Sequence, residues 1–373
     1  MLNDRDVSVL AAMDTAGRLP RLEARLGELG CDGLLVSKLP NIRYLTGFSG
    51  SAGSLLVRPN DALLVSDARY RDQAAEQVKA AGTPVEVEIA QLDSSWEPIR
   101  SMARGLARLG LEAYDISWGT CKSLGAALGA SVELVAVSGA VEALRAIKDE
   151  GEIARIEQAA DIADVALAQV KELLCEAPTE QEFAIALDFE MRRRGAEGVA
   201  FDSIVASGPN GAFPHASPST RRVEKGEFVV IDFGAVVDGY RSDMTRTLSV
   251  GPIRTAEQEA MIEAVAAAQR AGIRALRAGI SAGDVDKACR ESLVEAGLAE
   301  AFTHGTGHGV GLEVHEAPSV SPGSTDILQV GAVVTVEPGV YLYPTGGVRI
   351  EDTLVVTSAG ARLLTKSTKD CVL

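Results

Sequence analysis

The sequence predicts an α+β protein of two domains, a smaller α/β domain over residues 1–140 and a larger α+β domain over 141–373. Three observations lead there. At 373 residues the chain is too long for one ordinary hydrophobic core. Helix-like and strand-like segments alternate through residues 1–140, the pattern of an α/β layer. From Phe201 the texture changes to strands, tight turns and two long helices, which suits an α+β arrangement.

In the first domain, apolar spacing near the helical period predicts a helix over Leu19–Leu29, stopped by Gly30, and then a buried strand over Gly33–Ser37. Leu55–Val57 and Ala62–Val65 flank an Arg-Pro-Asn-Asp turn and read as a hairpin. Arg69–Ala81 reads as a helix that stops at Gly82. Alternation continues with a strand at Val85–Ile89, a helix over Trp96–Leu109, a strand at Gly110–Tyr114 and a helix at Lys122–Leu128. The boundary falls within Ala140–Lys148. Asp149–Cys175 is then one long amphipathic helix ending before Pro178, and Thr179 opens another with Glu182 as a capping box. Helices over Thr255–Ala278 and Ser281–Ala296 complete the second domain, and no internal repeat interrupts it.

Charge and composition narrow the function classes. A formal charge of -16 argues against nucleic acid or an anionic membrane as the main partner, since both select for surplus Lys and Arg. No window approaches the roughly 18 apolar residues of a spanning helix, and the charged opening Asp4-Arg5-Asp6 does not fit a signal peptide. Five scattered cysteines without paired spacing read as reduced thiols of a cytoplasmic protein. All four histidines (His215, His304, His308, His315) lie in the second domain, so acid–base chemistry is expected there.

Five metal-ligand candidates occupy the last 142 residues in the order Asp232, Asp243, His308, Glu337, Glu351. Their settings are Val-Ile-Asp-Phe-Gly at 230–234, Ser-Asp-Met-Thr-Arg-Thr at 242–247, Gly-Thr-Gly-His-Gly-Val-Gly at 305–311, Glu-Pro-Gly-Val-Tyr at 337–341 and Arg-Ile-Glu-Asp-Thr at 349–353. Four carboxylates and one imidazole are what two divalent cations sharing ligands require, and such a pair supports hydrolysis. Phe228–Phe233 and Tyr240–Leu248 read as strands joined by an Asp-Gly turn. A turn at Asp238–Gly239 sets Asp243 opposite Gly234, diagonal to Asp232; a turn one residue earlier sets the two acids directly opposite. Either register leaves them on one face, with Cβ atoms roughly 5–8 Å apart.

Val333–Glu337 and Val348–Val356 read as two further strands, the second placing Arg349, Glu351 and Thr353 on one face. Arg349 there is suited to orienting the carboxylate or holding a substrate's anionic end. The glycines around His308 fail the dinucleotide pattern, because its third glycine falls on Val310; they read as points of close backbone approach. His315-Glu316 lacks a second histidine at 319, and Pro318 breaks any helix there, so His315 reads as an acid–base or substrate-binding group. Four oxygen-bearing ligands, one imidazole and no thiolate favour Mn²⁺ over Zn²⁺, with Co²⁺ a further possibility.

This motif set resembles the pita-bread dinuclear metallopeptidases, the group of methionine aminopeptidase, aminopeptidase P and prolidase. The stretch Asn-Ile-Arg-Tyr-Leu-Thr-Gly-Phe-Ser-Gly at 41–50 extends the resemblance to the creatinase-like N-terminal domain of the Xaa-Pro branch. The resemblance implies a pita-bread catalytic domain that holds two divalent metal ions. Asp232 would bind one metal, Asp243 and Glu351 would bridge both, and His308 and Glu337 would bind the other. It implies that Glu337 also shuttles a proton, that His215 and His315 contact substrate and the tetrahedral intermediate, that His304 lines the substrate pocket and that Arg349 supports the ligands or the substrate's end. The implied activity is hydrolysis of the Xaa-Pro bond at the N-terminus of short proline-containing peptides by a hydroxide bridging the two metals, in a cytoplasmic homodimer. Xaa-Pro dipeptidase (prolidase) activity is the near alternative. A catalytically inactive pita-bread binding module and metal-free creatinase-like C–N hydrolysis are the distant ones, since proteins of both kinds lack this ligand set.

Overall fold

The computed structural model describes residues 9–90 and 96–373, which fall into two compact units. The charged opening Asp4–Asp6 lies outside the described residues. No helix among them is long and apolar enough to cross a membrane.

The smaller unit spans residues 13–145. Its elements are α1 (Arg18–Glu23), β1 (Gly33–Val36), α2 (Leu39–Thr46), β2 (Ser54–Arg58), β3 (Asp61–Ser66), α3 (Arg71–Ala80), β4 (Glu86–Ile89), α4 (Glu97–Met102), β5 (Arg108–Glu112), α5 (Trp118–Leu128), β6 (Glu133–Val137) and α6 (Glu142–Arg145). The strands form one sheet in the order β4-β3-β2-β1-β5-β6. β1, β2 and β3 pair antiparallel, whereas β4, β5 and β6 join in parallel. Leu35, Leu56, Leu63 and Leu111 of the sheet pack with Ile99 and Met102 of α4 and Leu124 of α5. Two expectations change here. The helix expected over Trp96–Leu109 ends at Met102, because Gly105 turns the chain at φ +87° and Arg108 already begins β5. The helix expected over Leu19–Leu29 is helical only over Arg18–Glu23 and continues as turns to Gly30; the stretch at 41–50 carries the end of α2, closed by Gly47 at φ +78°. α6 lies past residue 140 yet belongs to this unit, since Arg145 donates to Asn41 Oδ1 at 2.6 Å.

The larger unit holds residues 146–373 and takes in residues 9–12. It opens with α7 (Glu150–Val170) and α8 (Glu180–Arg193), each started by a complete capping box, Asp149 with Glu152 and Thr179 with Glu182. There follow β7 (Gly198–Val199), β8 (Ile204–Ser207), β9 (Phe228–Phe233), β10 (Ala235–Val237), β11 (Tyr240–Arg241), β12 (Met244–Ser249), α9 (Ala256–Ala275) and α10 (Ala282–Glu295). The last strands are β13 (Gly307–Gly309), β14 (Glu316–Val320), β15 (Val333–Val336), β16 (Gly339–Leu342), β17 (Gly346–Arg349), β18 (Asp352–Thr357) and β19 (Gly360–Leu363).

The pleat decides what faces the site. In β9, Val229, Ile231 and Phe233 pack into the core beneath α7 and α8, so Asp232 falls on the opposite face. In β15, Val334 and Val336 pack beneath α9 and α10, so Thr335, and Glu337 just past the strand, fall opposite. Each helical layer covers one sheet face, and the polar residues gather on the faces left over. Strand β12 joins the sheet β12-β9-β8 and β18 joins β14-β13-β15-β18-β19.

Candidate metal centre

The hairpin that carries the two aspartates takes the register in which Asp238–Gly239 form the turn. Both turn residues have positive φ, +46° and +73°, as a type I′ hairpin requires. Thr245 pairs with Asp232 and Met244 with Phe233, so Asp243 lies diagonal to Asp232. The two chains come together most closely at Gly234, where an added Cβ would stand 1.9 Å from the Ser242 carbonyl oxygen. No residue with a side chain fits there. Asp243 is consequently drawn inward and only 4% exposed.

Glu351 arrives from a different direction than expected. Val348–Val356 is not one strand: β17 ends at Arg349 in a hairpin with β16, and β18 begins at Asp352 in the five-stranded sheet. Ile350 and Glu351 form the step between the two sheets. Freed from the ladder on its own strand, Glu351 N donates to Thr245 O (3.1 Å), and Thr245 Oγ1 donates to Glu351 Oε2 (2.7 Å). Thr353 Oγ1 ties the same region to Asp243 O at 2.7 Å.

His308 sits in β13 between two glycines whose absent side chains let the strand close in. A Cβ on Gly307 would stand 2.2 Å from Thr335 O, and one on Gly309 2.2 Å from Ala317 O. His308 Nδ1 is 3.0 Å from Gly309 O, which turns Nε2 toward the carboxylates, 3.3 Å from Glu337 Oε1 and 3.6 Å from Asp243 Oδ2. Thr335 Oγ1 accepts from His308 N and donates to Glu337 Oε1. Ligand atoms of Asp243, His308 and Glu351 all lie within 4.8 Å of one another.

Arg349 closes the base of the site. It donates from Nη2 to Asp232 Oδ2 (2.6 Å), from Nη1 to Tyr341 OH (2.8 Å) and Pro214 O (3.2 Å), and from Nε to Thr245 Oγ1 (3.0 Å). Tyr341 OH also meets His304 Nε2 at 2.8 Å, while His304 Nδ1 faces Gly305 O. The rings of His308 and His315 stand edge to face with centroids 4.3 Å apart. All nine residues singled out in the sequence line one cavity of about 560 Å³, His215 among them. Sequence reasoning missed Tyr341, Thr245 and Thr335. Tyr341 stood in the Glu-Pro-Gly-Val-Tyr motif without a sign of its partner His304, and nothing local marks either threonine.

The charges in this cavity are unbalanced. Burial, and then the neighbouring Glu351, Asp232 and Glu337, push the Asp243 carboxyl well above the usual range. Burial, then Glu337 and Asp232, do the same to Glu351. Burial raises Asp232 too, against the pull of Arg349. Glu337 is largely buried too, yet its bond to His308 and the nearby Arg349 hold it below the ordinary value. Burial lowers His304 and His315, whereas Glu337 overcomes burial and raises His308. Two buried oxygens, Asp232 Oδ1 and Glu351 Oε1, have no hydrogen-bond partner among the described residues. Orphaned buried carboxylate oxygens are strongly unfavourable unless a cation answers them. An oxygen-rich donor set with one imidazole and uncompensated negative charge fits hard divalent cations.

Comparison with known proteins agrees with this chemistry. Residues 154–358 match metallopeptidase family M24, and residues 18–147 match the creatinase/prolidase N-terminal domain. An Xaa-Pro dipeptidase of Pyrococcus horikoshii is 37% identical over 91% of this chain and 94% of its own. Among solved structures, an Xaa-Pro dipeptidase from Bacillus anthracis superimposes with a TM-score of 0.91 at 36% identity, covering 96% of this chain and all (100%) of that one. An X-Pro aminopeptidase from Thermotoga maritima gives 0.85 at 34%, covering 95% and 100%. Matched across both of its units, the chain belongs to metallopeptidase family M24, an enzyme of that family with a creatinase/prolidase N-terminal domain.

Proposed function

We propose that this enzyme is an Xaa-Pro aminopeptidase, hydrolysing the bond between an N-terminal residue and a following proline. The observation that carries the reading is the convergence of five ligand candidates and three further histidines on one cavity. Asp232, Asp243, His308, Glu337 and Glu351 would hold two divalent cations, with Asp243 and Glu351 shared between them. Manganese is the ion we assign, because four carboxylates and no thiolate suit a hard cation. When bound, such a pair supplies a water acidic enough to attack near neutral pH and polarises the carbonyl attacked.

The chain's own residues do the rest. Glu337, held ionised beside His308, accepts the proton of the attacking water and passes it to the leaving nitrogen. His315, kept neutral by burial, donates an N–H to the oxygen that gains charge, with His215 beside it on the cavity wall. His304, fixed between Gly305 O and Tyr341 OH, bounds the substrate pocket. Arg349 holds Asp232 and Tyr341 in place. Proline after the scissile bond has no N–H and a fixed φ, so a site must be shaped for it. The Xaa-Pro dipeptidases among the relatives support a second reading, prolidase. The proposal includes a homodimer acting on short peptides in the cytoplasm, a setting that suits five free cysteines.

Metal-stripped protein reconstituted with Mn²⁺ tests the reading against an Xaa-Pro dipeptide and an Xaa-Pro-Xaa tripeptide sharing the first residue. Metal-dependent cleavage that favours the tripeptide is expected; preference for the dipeptide makes the enzyme a prolidase. Cleavage of neither, with metal shown bound, sinks both. The metal should also stabilise the fold. At a free concentration 100 times Kd it adds about 2.7 kcal/mol, so a chelator should lower Tm and excess Mn²⁺ restore it. A Tm indifferent to Mn²⁺ would count against a metal in this cavity.

A further inference from the structure

The segment between Ser207 and Ser219 carries Pro214 and His215 to the cavity wall, and both of its ends are fastened to a single carboxylate outside the cavity. That carboxylate is Glu180, in the first turn of α8 and fully buried. Its Oε1 accepts from Ser207 N (2.7 Å) and Ser207 Oγ (2.7 Å). Its Oε2 accepts from Ser219 N (2.9 Å) and Ser219 Oγ (2.6 Å). Asn210 Nδ2, inside the segment, bridges both oxygens at 3.1 and 3.0 Å. Backbone bonds from Glu180 N to Arg221 O and from Gln181 N to Ser219 O bring the returning chain onto the start of α8. Burial would push the Glu180 carboxyl up, but these hydrogen bonds outweigh it and hold it below the ordinary value. The N-terminus of α8 favours the same negative charge.

Between its ends the segment has, among the described residues, one polar tie to the rest of the cavity, Arg349 Nη1 to Pro214 O at 3.2 Å, and it packs on β17, where a Cβ on Gly347 would stand 2.0 Å from Gly211 O. Where His215 stands therefore depends on where the chain leaves β8 and where it returns, and one carboxylate holds both ends together, with Arg221 Nη1 donating to Ser207 Oγ (2.7 Å) beside it. Bonds to an ionised acceptor are short and about twice as strong as neutral ones, which suits a clamp on a loop without a ladder of its own.

We propose that Glu180 is the positioning residue for His215: it clamps residues 207 and 219 together and so delivers the imidazole to the substrate. The kinetic half of this proposal rests on His215 meeting substrate, as the proposed function has it; the structural half does not.

The test uses Glu180→Gln, whose single amide oxygen cannot answer all the donors that the carboxylate answers. The first readout is the imidazole nitrogen resonances of the metal-free full chain, which has only four histidines. The His215 signal, assigned by its loss in His215→Ala, is expected to shift and broaden, while His304, His308 and His315 stay in place. The second readout is kcat/KM on an Xaa-Pro-Xaa peptide with Mn²⁺ saturating, expected to fall about 100-fold, the scale of a 1 Å misplacement. Glu180→Asp should restore part of it. In a His215→Ala background, Glu180→Gln should cause no further loss. An unmoved His215 resonance, or losses that multiply in the double variant, would overturn the proposal. A moved resonance without kinetic loss keeps the clamp and removes His215 from the mechanism. Should Glu180→Gln fail to fold, Ser219→Ala, which deletes one donor and leaves the carboxylate, gives the same readouts with a smaller shift.

Discussion

Asp243→Asn is expected to reduce turnover of an Xaa-Pro peptide about 1,000-fold or more, the scale of losing several kcal/mol of charge stabilisation by the metals. The fold should survive. Asp243 is buried among Asp232, Glu337 and Glu351, and in the metal-free protein their charges oppose its own. Its folded pKa is raised, so in the window between the ordinary carboxylate value and that raised value the unfolded chain ionises and the folded one resists. The metal-free fold therefore loses stability as pH rises through that window. An amide of the same shape removes the conflict. At neutral pH, metal-free Asp243→Asn should melt no lower than the parent, and it should gain much less from added Mn²⁺. Thermal melts with and without Mn²⁺, alongside the peptide assay, check both halves. Retained turnover would remove the metal centre from the mechanism; a collapsed metal-free Tm would make Asp243 a structural residue instead.

What the sequence revealed, and what it hid, follows from the range of the interactions. The Asp238-Gly239 dipeptide is a local signal that placed the hairpin and both acids on one face; the strand pairing then decided between the two registers it left open and set Asp243 diagonal to Asp232. The capping box at Thr179 is equally local and starts α8, and α7 starts at the expected Asp149, whose box with Glu152 the structure adds. The ligands could be picked out because a charged residue beside Val230, Ile231 and Phe233, or a histidine between glycines, conflicts with its surroundings unless it has chemistry to perform. The break at Ile350–Glu351 could not be seen. The alternation through Val348–Val356 reads as one strand, and only the partners of β17 and β18, contributed by different stretches of chain, show that it serves two sheets. Thr245, Tyr341 and Glu180 were hidden for the same reason: their partners Glu351, His304 and Ser219 are 106, 37 and 39 positions away. A serine or threonine in a strand carries no sign of the carboxylate it will meet. The helix expected over Trp96–Leu109 failed through a local competitor, since Gly105 ends it sooner than the apolar spacing suggested.

Arg246→Ala is expected to destabilise the larger unit by about 3–5 kcal/mol, the loss seen when one partner of a buried ion pair is removed. Arg246 and Asp352 are 2% and 1% exposed and meet at 2.8 Å. The guanidinium also donates to the carbonyls of Thr245 (2.9 Å) and Ser367 (2.8 Å), to that of Thr368 (3.1 Å), and to the carbonyl of Glu351. Truncation would thus orphan several buried acceptors and leave Asp352 to Gln269, Thr365 and Lys369. Two of those carbonyls belong to Thr245 and Glu351, whose side chains are bonded inside the cavity. The same residue therefore ties the C-terminal segment at 367–368 to the strands beneath the metal centre. Replacing both charges, Arg246→Met with Asp352→Leu, should recover at most the part of the loss that belongs to Asp352 and not the part that belongs to the carbonyls, because Lys369, Gln269 and Thr365 then lose their acceptor. Urea denaturation of the metal-free chain measures both variants. Full recovery in the double variant would show that the ion pair, and not the carbonyl bonds, accounts for the effect. A loss under about 1 kcal/mol in Arg246→Ala would mean that water reaches the site and replaces the guanidinium.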